Sequence, residues 1–319
     1  MIPAAAKKKP SRRNLQKKTD PWVLRRARGL QILEAPQLAQ LSWLVHGFST
    51  RPGGASELEA NPDRGKITEN VLNLGFTDWD TREHVLKNRQ NFVAALKASD
   101  MRVIALRQIH SDIVHTVTGT NSRPSAEAPK GDALITNEPG LLLVVQTADC
   151  VPILLADEKR GAIAAIHSGW RGTLQRIAEK TLGRMQMEFG TRPQDVIAAL
   201  GPGIGQCCFE VGPEVAAEFT AKFPEAREWF KGPFDALARG DNAPNWLPWL
   251  TMRPPGHQLS EPRAHLDLLA ANRAILSAAG VSQRNIFSSG FCTACRMDLF
   301  FSYRRERLTG RMIAAIGIR

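Results

Sequence analysis

An α/β fold, in the α+β sense of strands and helices gathered into one domain, is predicted by three features of the chain. Its 319 residues lie at the upper end of what one domain holds and can bury a large core. Short apolar or β-branched runs separated by turn residues fill its middle, and helical patterns stand on either side of them. No internal repeat and no linker interrupts the chain after residue 30. Residues 31–319 therefore read as a single domain and residues 1–30 as a basic extension.

Leu41–Phe48 reads as a strand, followed by a turn-rich stretch, Ser49-Thr50-Arg51-Pro52-Gly53-Gly54. Residues 55–70 are polar and broken by glycine, so they read as a long loop or a mobile flap near something functional. Asp80 with Glu83 three residues on has the form of a capping box, and Leu86, Phe92, Val93 and Leu96 give the helix behind it an apolar side. Strands are predicted at Val103–Leu106, Ile113–Val117, Ala133–Thr136, Leu141–Thr147, Val151–Ala156 and Ala162–Ile166. Leu174, Ile177, Ala178, Thr181, Leu182 and Met185 recur at helical spacing within Thr173–Phe189. Val196–Leu200 reads as a buried strand, and Pro213–Phe223 as a helix whose first turn accepts proline. Residues 224–262, rich in Pro, Gly and Trp, carry no clear period. His265–Ala279 reads as a helix stopped by Gly280, and Met312–Ile318 as the last strand.

The formal net charge of +11 suggests nucleic acid until it is located. Residues 1–28 hold ten basic residues against one acid, Asp20; the remainder holds 32 against 30. The basic character thus belongs to the N-terminal extension, which by charge alone can meet nucleic acid, ribosomes or an anionic membrane, or stay solvated. It lacks the apolar stretch of a secretory signal, and no apolar run in the chain is long enough for a membrane span. Five cysteines are too few, and odd in number, for a disulfide scaffold. Reduced thiols in a cytoplasmic protein are the expectation.

The strands flanking Asp157-Glu158-Lys159-Arg160-Gly161 are close enough to form a hairpin. A turn centred between Glu158 and Lys159 sets Cys150 directly opposite His167, with Cβ atoms roughly 4.5–5.5 Å apart, a separation that suits two ligands of one metal. Gly161 leaves a longer, bulged turn as the alternative, and a slip of one residue would turn one side chain to the other face. His110, after the strand that ends near Arg107-Gln108, is the best-placed third ligand; His115, His46 and His84 are less well placed. Two imidazoles and a thiolate are a set that zinc uses with a fourth position open to water or substrate, with copper as the alternative. Asp149 can orient a ligand, transfer a proton or serve a structural hydrogen bond.

Glycine-flanked turns stand at His167–Thr173 and Gly201–Gly205. In the first, free N–H groups of the following helix and the guanidinium of Arg171 are suited to an anion; either turn can equally be structural. Arg304, Arg305, Arg307 and Arg311 cluster near the last strand, with Phe300, Phe301 and Tyr303 as a wall on which a base could pack. Cys292-Thr293-Ala294-Cys295 can in principle bind metal or act as a redox pair, but with no second CxxC beside it no four-cysteine site is expected; adjacent Cys207-Cys208 look poorly arranged for one metal, and packing is their expected role.

The chain resembles a bacterial family known as multicopper polyphenol oxidoreductases (laccase-like), also as purine nucleoside phosphorylases and, in one branch, as peptidoglycan editing factor. The resemblance runs from about Trp43 to Ile318. It rests on Arg107-Gln108-Ile109-His110-Ser111, Gly131-Asp132-Ala133-Leu134-Ile135-Thr136, Ala148-Asp149-Cys150-Val151-Pro152-Ile153, His167–Thr173, Gly201–Gly212, and Phe300–Arg305 with Thr309-Gly310-Arg311. It implies His110, Cys150 and His167 as metal ligands, and supports the stretches that carry Arg51 and Asn73 as substrate contacts. It also implies a mixed-sheet sandwich flanked by helices, related to bacterial toxin deamidase domains that use a cysteine and a histidine. Ser168 stands where the family usually has alanine, a change small enough to leave the metal site intact.

The activity so implied is zinc-dependent phosphorolysis of adenosine, inosine, guanosine and methylthioadenosine, with some deamination of adenosine. The partners are then purine nucleosides and phosphate, in a monomer or homodimer. Two other enzymatic readings share the motifs: amidase-like editing of peptidoglycan precursors, and copper-dependent oxidation of phenols. A scaffold that docks on nucleic acid through its basic extension is the reading from a different class.

Overall fold

The computed structural model describes residues 22–60, 67–119, 128–232 and 263–319. The chain begins with β1 (Val23–Ala27), β2 (Leu30–Glu34), helix α1 (Pro36–Ala39), β3 (Leu44–Ser49), β4 (Pro52–Ala60), β5 (Ile67–Val71) and helix α2 (Arg82–Ala95). A strand-rich centre follows: β6 (Arg102–Ile104), β7 (Val114–Thr116), β8 (Ala133–Thr136), β9 (Leu141–Thr147), β10 (Val151–Asp157) and β11 (Ala162–Ser168). The rest is α3 (Trp170–Leu174), α4 (Ile177–Phe189), β12 (Val196–Leu200), β13 (Glu210–Val211), α5 (Pro213–Lys222), β14 (Phe230–Lys231), β15 (Ala264–Leu266), α6 (Leu268–Ala278), β16 (Ile286–Ser288), α7 (Tyr303–Glu306) and β17 (Met312–Ile318).

Two six-stranded mixed sheets carry the core, ordered β1-β2-β3-β17-β9-β6 and β16-β12-β10-β11-β8-β7. Alternate residues of each central strand explain the continuous apolar runs. Leu143, Val145, Ala314 and Ile316 of the first sheet meet Leu154, Ala156, Ile163 and Ala165 of the second in one cluster. The intervening residues face outward: Leu142, Val144, Ile313 and Ala315 onto Phe92, Ala95 and Leu96 at α2, and Ile153, Leu155, Ala164 and Ile166 onto α4, α5 and α6. Strands buried on both faces need no polar side. The result is a mixed α/β sandwich with helices on its outer faces. Truncating a buried anchor such as Phe92 to alanine would cost roughly 3–5 kcal/mol.

Several sequence expectations change. Residues expected as a loop pair instead as the β4–β5 ribbon, where buried Ser56 and Leu58 flank exposed Glu57 and polar serine shares the inward side with Leu58 and Val71, a weak apolar signal; positions 61–66 lie outside the described residues. Val23–Ala27 is a strand, with the Arg25 guanidinium 2.8 Å from Glu34, so the folded chain starts before residue 31. The basic positions up to Lys18 lie outside the described residues, as does most of 224–262. The α2 cap is Thr81, whose hydroxyl accepts from His84 N, while Asp80 turns to Ser56 and Asn73; Leu86 is exposed. The helix expected over Thr173–Phe189 is broken between α3 and α4, where Arg176 takes a φ of 61°. His265 belongs to a strand, and α6 begins after Asp267, whose carboxylate caps Ala270 N. Among the described residues no helix is long and apolar enough to cross a membrane.

One buried group makes the fold pH-sensitive. His46 on β3 accepts a hydrogen bond from Ala35 N at 3.0 Å, and burial, helped by the charge of Arg25, lowers its pKa from 6.5 to about 4. The unfolded chain therefore takes up this proton first as the pH falls. Stability should be full above pH 6.5, decline between 6.5 and 4 by up to about 3 kcal/mol, and level off below. Urea unfolding at pH 7 and pH 4 should show this loss diminished in His46→Gln; an unchanged pH dependence would mean His46 is not its source.

Candidate metal centre

The hairpin forms, but in a longer register than expected. Pro152, not Cys150, faces His167, and the turn spans Glu158–Gly161. Gly161 at φ 59° and the Asp157 carboxylate, which accepts from Lys159 N, favour that longer turn. A slip of two residues preserves the face, so Cys150 becomes a diagonal neighbour of His167, still within side-chain reach. The sulfur leans over Gly169, where a Cβ would lie 2.8 Å from Cys150 Sγ and 3.2 Å from His110 Cδ2. Ligand atoms of His110, Cys150 and His167 all lie within 4.8 Å of one another. The two imidazoles meet edge-on, with centroids 4.9 Å apart.

Asp132, one residue before β8, assembles this trio. Its carboxylate accepts the backbone N–H groups of Ile109, His110 and Ser111 at 3.3, 3.1 and 2.6 Å and the Ser111 hydroxyl at 2.7 Å. The loop so gathered holds His110 at φ 59°. Asp132 Oδ1 also lies 2.8 Å from His167 Nδ1, and Asp132 O accepts from His167 N at 2.8 Å. With Nδ1 engaged, Nε2 of His167 is the nitrogen offered to a metal, the arrangement in which a carboxylate fixes ring and tautomer. Burial alone would raise the Asp132 carboxyl; its hydrogen bonds with His167 and Ser111 outweigh burial and bring it down to about 2.

The same balance governs the ligands. Burial would push the Cys150 thiol up, yet the charge of His167 and hydrogen bonds from both histidines bring it below its ordinary value. Burial would keep His167 neutral, yet Cys150 and Asp132 raise it. Both shifts favour a thiolate beside an imidazolium, and a cation held between them would take the place of the shared proton. Two imidazoles, one thiolate and a carboxylate behind one imidazole form a donor set that fits a single ion.

The other expected residues divide. Asp149 stands beside the site at φ 96°, its carboxylate held by Thr293 Oγ1 and Arg304 N, both at 2.7 Å. Positive φ at a non-glycine residue stores strain of order 1–3 kcal/mol, held here by those bonds. Arg171 is exposed on α3, its guanidinium 4.3 Å from the centre of the Trp170 ring. Arg51 is buried and ion-paired with Glu306 at 2.6 Å. Asn73 is fully buried; its amide donates to Gly75 O and Asp80 and accepts from Gly75 N and Arg311 N. Neither end of Asn73 faces outward, so its reach into a site runs through Arg311. That arginine, whose guanidinium lies 5.8 Å from the Tyr303 ring centre, feels the charges of Asp149 and Cys150. Of the expected aromatic wall, Phe300 and Phe301 are core residues and only Tyr303 is exposed. The Ser168 hydroxyl is absorbed by Asn272 at 2.9 Å and Thr173 at 3.0 Å, which ties β11 to α6.

Sequence reasoning missed two features. Asp132 is a lone carboxylate before a strand, and only its place in the Gly131–Thr136 motif marked it. The four cysteines, not expected to form one site, come together: ligand atoms of Cys207, Cys208, Cys292 and Cys295 lie within 4.8 Å of one another. The pairs are more than eighty residues apart in the chain, so spacing alone could not join them.

Comparison with known proteins finds relatives along almost the whole chain. A family model described as "Multi-copper polyphenol oxidoreductase laccase" matches residues 45–319. A "Purine nucleoside phosphorylase" of Deinococcus radiodurans is 39% identical over 297 residues, covering 92% of this chain and 94% of the relative. "Adenosine deaminase RL5" from an unknown prokaryotic organism is 41% identical over 186 residues, covering 58% of this chain and 61% of the relative. The crystal structure of "hypothetical protein YfiH" from Bacillus licheniformis superposes with a TM-score of 0.74 at 29% identity, covering 94% of this chain and all of that one.

Two substitutions probe the assembly without touching a ligand. Asp132→Asn should weaken metal affinity about 10–100-fold, read by competition with a chromophoric chelator. Gly169→Ala should lower metal content by displacing the Cys150 sulfur while circular dichroism stays that of the parent. Parental affinity in both variants would exclude this support.

Proposed function

The chain belongs to the multi-copper polyphenol oxidoreductase laccase family, and from that premise we propose a zinc-dependent purine nucleoside phosphorylase. Its substrates would be adenosine, inosine, guanosine and methylthioadenosine, with deamination of adenosine as a side reaction. The observation that carries this reading is the single-ion donor set of His110, Cys150 and His167, backed by Asp132, in a chain similar along almost its whole length to a protein named for that activity. The deaminase side reaction is supported by the likeness to the named adenosine deaminase over part of the chain.

The donor chemistry favours zinc over the family's copper name. Laccase chemistry needs several coppers and many histidines, and the chain has seven histidines. Two imidazoles and one thiolate suit zinc with a fourth position open. Zinc held there supplies Lewis-acid polarisation of a substrate oxygen. A cysteine and a histidine backed by an aspartate also support kinship with the toxin deamidase domains.

In phosphorolysis a phosphate oxygen bonds to ribose C1′ as the bond from C1′ to the base nitrogen breaks, and the base leaves with the electron pair. Cations must hold the phosphate, a role we assign to Arg171 and, beside Cys150 and Asp149, to Arg311. Tyr303, exposed and flanked by Arg307 and Arg311, is the surface proposed for the base. Asp149 is proposed for proton transfer or for orienting these groups. Asn73 would act by positioning Arg311, and Arg51 by holding the Glu306 end of α7. The whole would work in the cytoplasm as one domain, with the basic extension dispensable for chemistry and a charge-based contact to nucleic acid or an anionic surface as its own role.

Purified protein given adenosine and phosphate should release adenine and ribose 1-phosphate, and Cys150→Ala should lose this activity. Product only from serine-containing muropeptide precursors, or only oxygen-dependent oxidation of phenols, would contradict the reading. Arg171→Met should raise the apparent phosphate KM about tenfold, as for loss of a charge-assisted hydrogen bond, while phosphate-independent deamination changes much less. Equal losses in both reactions would remove Arg171 from phosphate binding.

A further inference from the structure

We propose that Cys207, Cys208, Cys292 and Cys295 form a second metal site, a closed tetrathiolate that binds one zinc ion and fastens the wall behind the first site. The Sγ atom of Cys295 lies 3.4 Å from those of both Cys207 and Cys208, and all four sulfurs lie within 4.8 Å of one another. A tetrahedral ion with bonds of about 2.3 Å holds its sulfurs about 3.8 Å apart, so small shifts of the side chains suffice. Four soft thiolates exclude magnesium and calcium, and sulfurs gathered this closely suit one ion rather than a multi-iron cluster. With four protein ligands and no open position, the role is structural.

The backbone is shaped for such a site. Cys295 N and Arg296 N both donate to Cys292 O, at 3.2 and 3.0 Å, which folds the CxxC segment into a tight turn. Gly205 N donates to Cys292 Sγ at 3.2 Å, and Arg305 reaches Cys208 Sγ at 3.4 Å. Both contacts favour thiolates, and the guanidinium offsets part of the doubly negative unit that one divalent ion and four thiolates make. The cysteines are free thiols.

The ion would join two loops remote in sequence, one after β12 and one after β16, that touch through the Gly203–Cys292 bridge and the Thr293 N to Gly203 O bond of 3.0 Å. Thr293, between the two CxxC cysteines, holds Asp149 beside Cys150. The second site thereby steadies the first without supplying a group to it.

The test uses full-length protein in which the first site has been removed, so it does not depend on any nucleoside activity. Cys150→Ala, purified under reducing conditions with zinc present, should retain about one zinc per chain, and adding Cys292→Ser with Cys295→Ser should abolish it. Cobalt substituted into Cys150→Ala should give the strong charge-transfer absorption of four thiolates. A further Cys207→Ser, at an exposed position, should weaken that absorption by about a quarter, one thiolate in four, with circular dichroism checking the fold. A zinc-free Cys150→Ala protein, zinc retained after the double serine change, or a disulfide among the four cysteines in anaerobically purified protein would each overturn the proposal.

Discussion

A single buried carboxylate, that of Asp132, is the interaction on which the site depends. Removing a charge from water is costly unless its lone pairs are satisfied. Here four donors from Ile109, His110 and Ser111 and the ring of His167 converge on two oxygens. The gathering of that loop sustains His110 in a left-handed conformation. The ring contact turns the free nitrogen of His167 toward Cys150. Without that carboxylate the loop of His110 would lose its direct tie to the ring of His167.

The sandwich makes this placement possible. β8 and β11 pair so that Ala133 faces Ile166, which brings the residue before one strand beside the end of the other. β10 and β11, buried on both faces, fix Cys150 and His167 at the same rim of the sheet. Around that rim the last segments of the chain close in: Arg304 N and Thr293 hold Asp149, and Asn73 on the other sheet's side holds Arg311 N. Strain at His110 and Asp149 is thus opposed by bonds that come from different elements, the condition under which such conformations persist.

Much of this was legible in the sequence where the signal is local. Ala133–Thr136, Leu141–Thr147, Val196–Leu200 and Met312–Ile318 have the bounds their apolar runs predict, because strands buried on both faces leave an unbroken apolar record. The nearness of Cys150 to His167 was also legible, though the hairpin register was two residues off: a slip of two keeps the face and so leaves Cys150 within side-chain reach of His167. What escaped was non-local or lacked a period. The inward side of the β4–β5 ribbon mixes Ser56 with Leu58 and Val71, so its apolar alternation is weak, and the break at Arg176 leaves the helical spacing intact on either side. The cysteine cluster joins segments that no window of sequence spans. Asn73 and Arg51 lie in the stretches that the resemblance supports, but they face inward, where spacing cannot distinguish a contact from a brace.

The most direct measurement is anomalous diffraction at the zinc edge from crystals of the active protein soaked with adenosine and phosphate. The account predicts a peak within bonding distance of His110, Cys150 and His167 Nε2, with substrate density adjoining it. A fully active crystal in which these side chains contact only one another, with no anomalous peak among them, would contradict it.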